Sequence, residues 1–172
     1  MGVRLTNYLV WLGLACFSLY AHSGEILSSV ALHNPGTGTY YIQGQFGHLQ
    51  PINLLVDTGS SFSTIDEKTL AELRASGDAT FIRNQSGILA DGTKIEVPLY
   101  RIKNLALGNV CVVEDVEVAV FPNGRRHILG LNVLAKLTPF SFSLEPPRLT
   151  LAGCNPPALN IVKKEPSLAS TP

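Results

Sequence analysis

The 172-residue chain has no excess of either charge: 13 Lys and Arg balance 13 Asp and Glu, for a formal net charge of zero. Bulk electrostatics therefore offer nothing to a polyanion, and no nucleic-acid partner is implied. Charged residues make up only 15%, while Gly (15) and Pro (11) are plentiful. That balance suits a turn-rich, mostly β domain better than a helical bundle. There are only three cysteines, none with metal-ligand spacing or a local Cys/His cluster, so no metal or other cofactor is expected. A Ser-His-Asp or Cys-His nucleophile set is also lacking, since neither Ser60 nor Cys111 has a natural base partner. No internal repeat occurs. The length is that of one domain with a real core.

The N-terminus has the pattern of an export signal. Met1 to Asn7 carries one positive charge, Arg4, and no acid; Tyr8 to Tyr20 is apolar apart from Ser18. Ala21-His22-Ser23 then places small residues at the −3 and −1 positions of a cut before Gly24, giving a signal peptide over residues 1–23. The alternative is an uncleaved membrane anchor over residues 8–21, a run short of the roughly 20 residues that a bilayer crossing needs. Lipid attachment at Cys16 fits less well, because Gly13-Leu14-Ala15-Cys16 lacks the usual leucine three residues before the cysteine. Cleavage would remove Arg4 alone and leave two cysteines, Cys111 and Cys154. One disulfide between them and two separate buried thiols both fit the sequence. The expected location is the periplasm or the exterior.

Residues 24–35 read as an N-terminal extension with a loosely alternating first strand. Thr39 to Phe46 reads as a strand, Gly47 to Gln50 as a turn and Pro51 to Val56 as the return strand. Pro51 fits the first strand position, where a missing N–H does least harm. Asp66 to Ala75 is the clearest helix, with Leu70, Ala71 and Leu73 on one face, Asp66 as its cap and Gly77 as its stop. Ile88 to Val97 spans a hairpin turning at Asp91-Gly92. Two further strands, Tyr100 to Leu107 and Val110 to Phe121, flank Gly108-Asn109. Ile128-Leu129-Gly130 is a short apolar strand, Asn132 to Leu137 a turn or two of helix, and Phe140 to Leu144 with Arg148 to Ala152 a last hairpin. The domain proper is residues 36–154. Residues 155–172 form a tail rich in Pro, Ser and Lys, expected to be disordered, with Lys163-Lys164 a solvated pair in it.

The segment Leu54-Leu55-Val56-Asp57-Thr58-Gly59-Ser60-Ser61 carries the chemistry. An apolar strand delivers one carboxylate into a Thr-Gly-Ser turn. Asp-Thr-Gly by itself is a common turn. Here the preceding Leu54, Leu55 and Val56 are expected to bury the strand and leave Asp57 at the edge of low-dielectric core, where its orientation and acidity can be tuned. An aspartic-type hydrolase needs two carboxylates sharing one proton. No second Asp-Thr-Gly exists in the chain, so the partner carboxylate is expected from another molecule.

Three segments together resemble the single-lobe, retropepsin-like (clan AA) aspartic proteases, of the sort also found in bacteria. They are Leu55 to Ser61 for the catalytic loop, the Asp91-Gly92 hairpin for the flap, and His127 to Leu134 for the apolar–apolar–glycine element and its helix. The resemblance spans Gly36 to Gly153 and implies a mostly β fold: one closed, barrel-like acid protease lobe with one or two short helices. It implies that Asp57 is the catalytic aspartate and that Thr58 bonds its counterpart across a dimer axis. Gly59 would let the loop pass close to substrate, and the Ser60 hydroxyl would bond the outer carboxylate oxygen. Leu89, Ala90, Asp91, Gly92 and Thr93 would close as a flap over a polypeptide bound as an added strand; an ordinary surface hairpin is the alternative. Ile128, Leu129 and Gly130 would pack behind the loop.

Viral members of the family carry an acid two residues after the catalytic-loop glycine and an arginine after the later glycine, which pair near the dimer interface. Here those positions are Ser61 and Leu131, so both charges are absent together. Arg125 and Arg126 precede the strand and read either as a dimer contact or as a solvated loop; His127 reads as a loop or strand-edge residue. The expected function is an exported aspartic endopeptidase acting as a homodimer. The alternative is a catalytically silent module of the same fold serving in periplasmic binding or assembly. Membrane contact is expected only if the N-terminal segment stays uncleaved.

Overall fold

The computed structural model describes residues 27–122 and 126–156. The signal-peptide segment, Arg125 and the tail beyond residue 156 lie outside the described residues. Ten strands and two short helical pieces make up the fold: β1 Ser28–Ala31, β2 Tyr41–Phe46, β3 Ile52–Val56, β4 Ser63–Asp66, α1 Glu67–Ala75, β5 Ala79–Ile88, β6 Lys94–Leu107, β7 Cys111–Phe121, β8 His127–Leu129, α2 Leu131–Leu134 running into a 3-10 turn Ala135–Leu137, β9 Phe140–Leu144 and β10 Pro147–Leu151.

Six strands close on themselves in the order β2-β3-β8-β4-β7-β6, and Gly44–Phe46 of β2 pairs with Leu105–Leu107 of β6 to seal the ring. β5 hangs on the outer side of β6, and β1-β10-β9 form a separate three-stranded sheet. This is a mostly β fold with two short helices, matching a single retropepsin-like lobe. Most of its core forms one cluster. Ile42, Phe46, Leu54, Ile65, Leu105, Val118, Leu129 and Leu134 are buried inside the ring, and Val30, Leu149 and Leu151 carry the outer sheet onto it. Burying a side chain of this size contributes about 2 kcal/mol.

Local signals place several elements. Asp66 caps α1, its carboxylate accepting the Thr69 amide at 2.8 Å, and Gly77 ends the helix with φ +73°. The buried face of α1 is Thr69, Leu70 and Leu73; Ala71, expected on that face, is exposed. The β5–β6 hairpin turns at Asp91-Gly92 as its sequence requires. Two strands are longer or newer than the sequence suggested. β5 starts at Ala79, nine residues before the expected hairpin strand, and β4 was not anticipated. The tail boundary also shifts slightly, because Asn155 still pairs with Val112.

Two parallel pairings position the site. β3 runs beside β8 with Val56 opposite Leu129, and β4 runs beside β7 with Ser63 opposite Val118. The C-terminal ends of β3 and β8 therefore finish side by side. The residues that follow them, Asp57 and Gly130, leave the sheet together.

Candidate active site

Asp57 follows directly from β3. Its amide donates to the Leu129 carbonyl at 3.1 Å, one step beyond the last β3–β8 pair. The Ser60 amide donates back to the Asp57 carbonyl at 3.3 Å and closes the turn, while the Gly59 amide donates to Asp57 Oδ1 at 2.8 Å. The carboxylate is thus oriented by the backbone of its own loop. Leu54 is fully buried; Leu55 and Val56 are only partly so, less than the apolar run suggested. Asp57 is half-buried and Thr58 and Gly59 are exposed, so the turn presents its polar face outward.

Ser60 does not serve Asp57. Its hydroxyl donates to the Phe62 carbonyl at 2.7 Å, within the loop and away from the carboxylate. The expected bond from Ser60 to the outer carboxylate oxygen is replaced by a bond that shapes the loop exit.

The segment after β8 forms the floor beneath this loop. The Leu131 amide donates to the Ser60 carbonyl at 2.8 Å and the Asn132 amide to the Ser61 carbonyl at 3.2 Å. Gly130 lies so close to the chain that a Cβ there would stand 2.5 Å from the Phe62 carbonyl carbon and oxygen and 2.8 Å from the Ser63 nitrogen. Only glycine allows that approach. Leu129 is fully buried behind the loop, and Ile128 is partly exposed beside it.

A polar clamp that sequence reasoning missed locks these two segments together. Asn132 Oδ1 accepts both the Ser63 amide at 2.8 Å and the Ser63 hydroxyl at 3.1 Å. The Ser63 hydroxyl oxygen in turn accepts the Gly130 amide at 3.0 Å, and Asn132 Nδ2 donates to the Glu117 carbonyl at 2.7 Å. Ser63 is completely buried, yet among the described residues no buried side-chain nitrogen or oxygen lacks a partner. A network satisfied throughout is rigid. The only signal for it in the sequence is an Asn and a Ser with no evident duty.

Leu89, Ala90, Asp91, Gly92 and Thr93, the residues expected to close as a flap, form the exposed tip of the β5–β6 hairpin. The Leu89 amide donates to the Thr93 carbonyl and the Gly92 amide to the Leu89 carbonyl, each at 2.9 Å, and Gly92 takes φ +85°. Asp91 Oδ1 accepts the Thr93 amide at 2.9 Å; the Thr93 amide, then its hydroxyl, hold the Asp91 carboxyl below its usual value. No hydrogen bond joins this tip to Asp57–Ser60 among the described residues. The base of the hairpin does meet the loop. Val97, Leu99 and Ala119 form a second apolar cluster, onto which Ile82, Ile95, Phe121 and Phe62 of the loop exit pack.

Two further groups of residues bear on the sequence reading. Cys111 and Cys154 are joined in a disulfide. His127, at the head of β8, accepts from or donates to the Thr69 hydroxyl at 3.0 Å and lies 3.5 Å from Asp66. Burial pushes the Asp66 carboxyl up, but the Thr69 amide and hydroxyl and the His127 ring together outweigh it and leave it below its usual value.

A half-buried aspartate on a glycine-backed turn, at the mouth of a six-stranded barrel with a hairpin beside it, defines the lobe of a retropepsin-like acid protease. The crystal structure of a retropepsin-like aspartic protease from Rickettsia conorii has the same fold, with a TM-score of 0.55 at 16% identity over 73% of this chain and 91% of that one. Residues 40–133 match the family model described as aspartyl protease; this chain belongs to the aspartyl protease family. No curated protein matches it.

Proposed function

We propose that the protein is an exported aspartic endopeptidase, active as a homodimer in which each subunit supplies one Asp57. The observation that carries this reading is the presentation of Asp57. The carboxylate stands at the surface of the lobe, turned by the Gly59 amide, on a loop tied to the following segment through Leu129, Leu131 and Asn132. No other acid lies in Asp57–Phe62 or Ile128–Asn132, so a lobe alone holds half of the acid–base pair that peptide hydrolysis needs.

In the dimer the ionised Asp57 takes a proton from a bound water. The resulting hydroxide adds to the scissile carbonyl carbon, while the protonated Asp57 of the second copy gives its proton to the carbonyl oxygen. The tetrahedral diol then collapses: one diol hydroxyl gives its proton to the now ionised Asp57, the C–N bond breaks, and the amide nitrogen leaves with the proton held by the other Asp57, so the pair again shares one proton. The backbone of an extended peptide would be held between the loop and the hairpin tip Leu89–Thr93, closed over it. Export is supported by the signal-like pattern of residues 1–23.

The test is cleavage of an unstructured protein by the purified enzyme from pH 3 to 7, with Asp57→Asn and a statine-type inhibitor alongside. Cleavage abolished by both supports the reading. Activity retained by Asp57→Asn, or no cleavage at any pH by a well-folded protein, overturns it in favour of a silent module of the same fold.

A further inference from the structure

We infer that His127 is a positioning residue for the Asp57 loop: its charged imidazole, formed in mild acid, latches the head of β8 to Asp66 at the cap of α1. The inference deepens the reading above by naming how acidity would act on the loop's support, and only its link to cleavage rests on that reading.

β8 carries Leu129, whose carbonyl accepts the Asp57 amide at 3.1 Å. On its other side β8 meets β4 at one paired position, Thr64 opposite Ile128. The Thr64 hydroxyl adds a bond to the Arg126 carbonyl at 3.3 Å. Side chains then complete the join at the head of the strand. His127 Nε2 stands 3.0 Å from the Thr69 hydroxyl and 3.5 Å from Asp66 Oδ1, with the His127 and Asp66 side chains only 18% and 26% exposed. These three residues come from β8, α1 and the end of β4, so their contact bridges elements far apart in sequence. A shift of His127 would be passed along two residues of strand to the Leu129 carbonyl.

An imidazole is the side chain whose charge ordinarily changes between about pH 5 and 8. Neutral, the ring keeps its hydrogen bond to Thr69; charged, it adds an ionic attraction to Asp66. A crevice of about 370 Å³ lies between the β2–β3 turn and α1, lined by both residues, and lets protons reach them without unfolding. The other charged groups nearby do not duplicate the pair. Lys68 and Glu72 line the same crevice but are exposed and opposite in sign, and Arg126 is exposed. Leu54, paired with His127 on β3, is apolar, and His48 on the β2–β3 turn acts on Asp78. Burial pushes the Asp66 carboxyl up, but the Thr69 amide and hydroxyl and His127 outweigh it, so Asp66 stays ionised into acid. The latch therefore closes as pH falls through the imidazole range. It opens again only as pH falls through the folded value of Asp66, below 3.8.

The test compares wild type with His127→Gln, which keeps a hydrogen-bonding group for Thr69, and Asp66→Asn, which keeps the helix cap. Urea unfolding at about pH 7.5 and about pH 5 gives folding constants, and amide hydrogen exchange gives the protection of the Asp57 amide. Relative to either variant, wild type should gain about threefold in folding constant between the two pH values, as a partly screened ion pair allows. Its Asp57 amide should become better protected over the same interval. The ratio of wild-type to His127→Gln cleavage should rise with them. Titration of the other histidines is common to all three proteins and cancels in these ratios. A gain matched by His127→Gln belongs to another group and overturns the latch. A gain retained in full by Asp66→Asn overturns Asp66 as the partner, and a stability gain with no change at the Asp57 amide overturns the positioning role. If the stability and exchange results hold while wild type cleaves nothing at any pH, the latch stands and the protease reading falls.

Discussion

Asn132 accepts the amide and the hydroxyl of Ser63 with one side-chain oxygen, at 2.8 and 3.1 Å, across 69 residues of sequence. This pair fixes where the Asp57 loop ends. Ser63 opens β4 just after the loop, and Asn132 stands in the first turn of α2 just after Gly130. The position of Asp57 is therefore set from both sides of the loop, by β3 before it and by the Ser63–Asn132 clamp after it.

Asn132→Ala leaves the buried Ser63 amide without an acceptor and frees the Glu117 carbonyl. We expect a loss of about 2–3 kcal/mol in urea unfolding. Catalytic rate should fall at temperatures where the variant is still folded, because the loop loses its rear anchor. Unchanged stability would mean that another group accepts the Ser63 amide.

Gly130→Ala puts a methyl group against the Phe62 and Ser63 backbone, which cannot turn aside as a side-chain tip would. The expected cost is at least about 2–3 kcal/mol, with activity lost before the fold. A near-neutral melt, with full activity, would show that the loop shifts freely.

Ser60→Ala removes the donor to the Phe62 carbonyl. Stability should drop by about 1 kcal/mol, while the pH–rate profile keeps its shape and midpoint, since the hydroxyl does not touch the Asp57 carboxylate. A displaced acidic limb would indicate that Ser60 turns to Asp57 in the working enzyme.

Asp78 supplies a pH-dependent stability. It is buried, and the Ser76 hydroxyl at 2.8 Å, then Lys103 at 3.1 Å, hold its carboxyl below the usual 3.8. A depressed acid stabilises the fold fully above its unfolded value and loses that contribution as pH falls through its folded value. Asp78→Asn should therefore be less stable than wild type near pH 7, by about 1–2 kcal/mol, and the gap should close below pH 3.8. Urea midpoints measured from pH 2 to 7 check the sign; a gap constant with pH would rule out the carboxylate as its source.

The elements that sequence made legible are those with local causes. The Asp91-Gly92 turn, the Asp66 cap and the Gly77 stop each act within a few residues of themselves. β4 was hidden because Ser63-Thr64-Ile65 is buried without alternation, paired with β7 and β8 far along the chain. The first part of β5 was hidden because Arg83-Asn84-Gln85-Ser86 reads as loop until β6 offers it a hydrogen-bonding edge. At the site, the Asp57 loop and the Ile128-Leu129-Gly130 element were visible as motifs. The true partner of Ser60 was not, because a hydroxyl beside both a carboxylate and a carbonyl gives no hint of which it will choose. Asn132 was invisible for a related reason: two of its three side-chain bonds run to backbone groups that any residue would offer.

The bond between Cys111 and Cys154 encloses the 43-residue span that holds β8, Gly130, Leu131 and Asn132. A single cut inside that span would leave both fragments covalently tied at the ring, with the segment beneath the Asp57 loop still joined to the barrel. Under the proposed protease activity, where each copy is a potential substrate of the next, the cross-link would hold that half of the site together, whereas a cut in the β5–β6 hairpin, which lies outside the ring, would have no such tether.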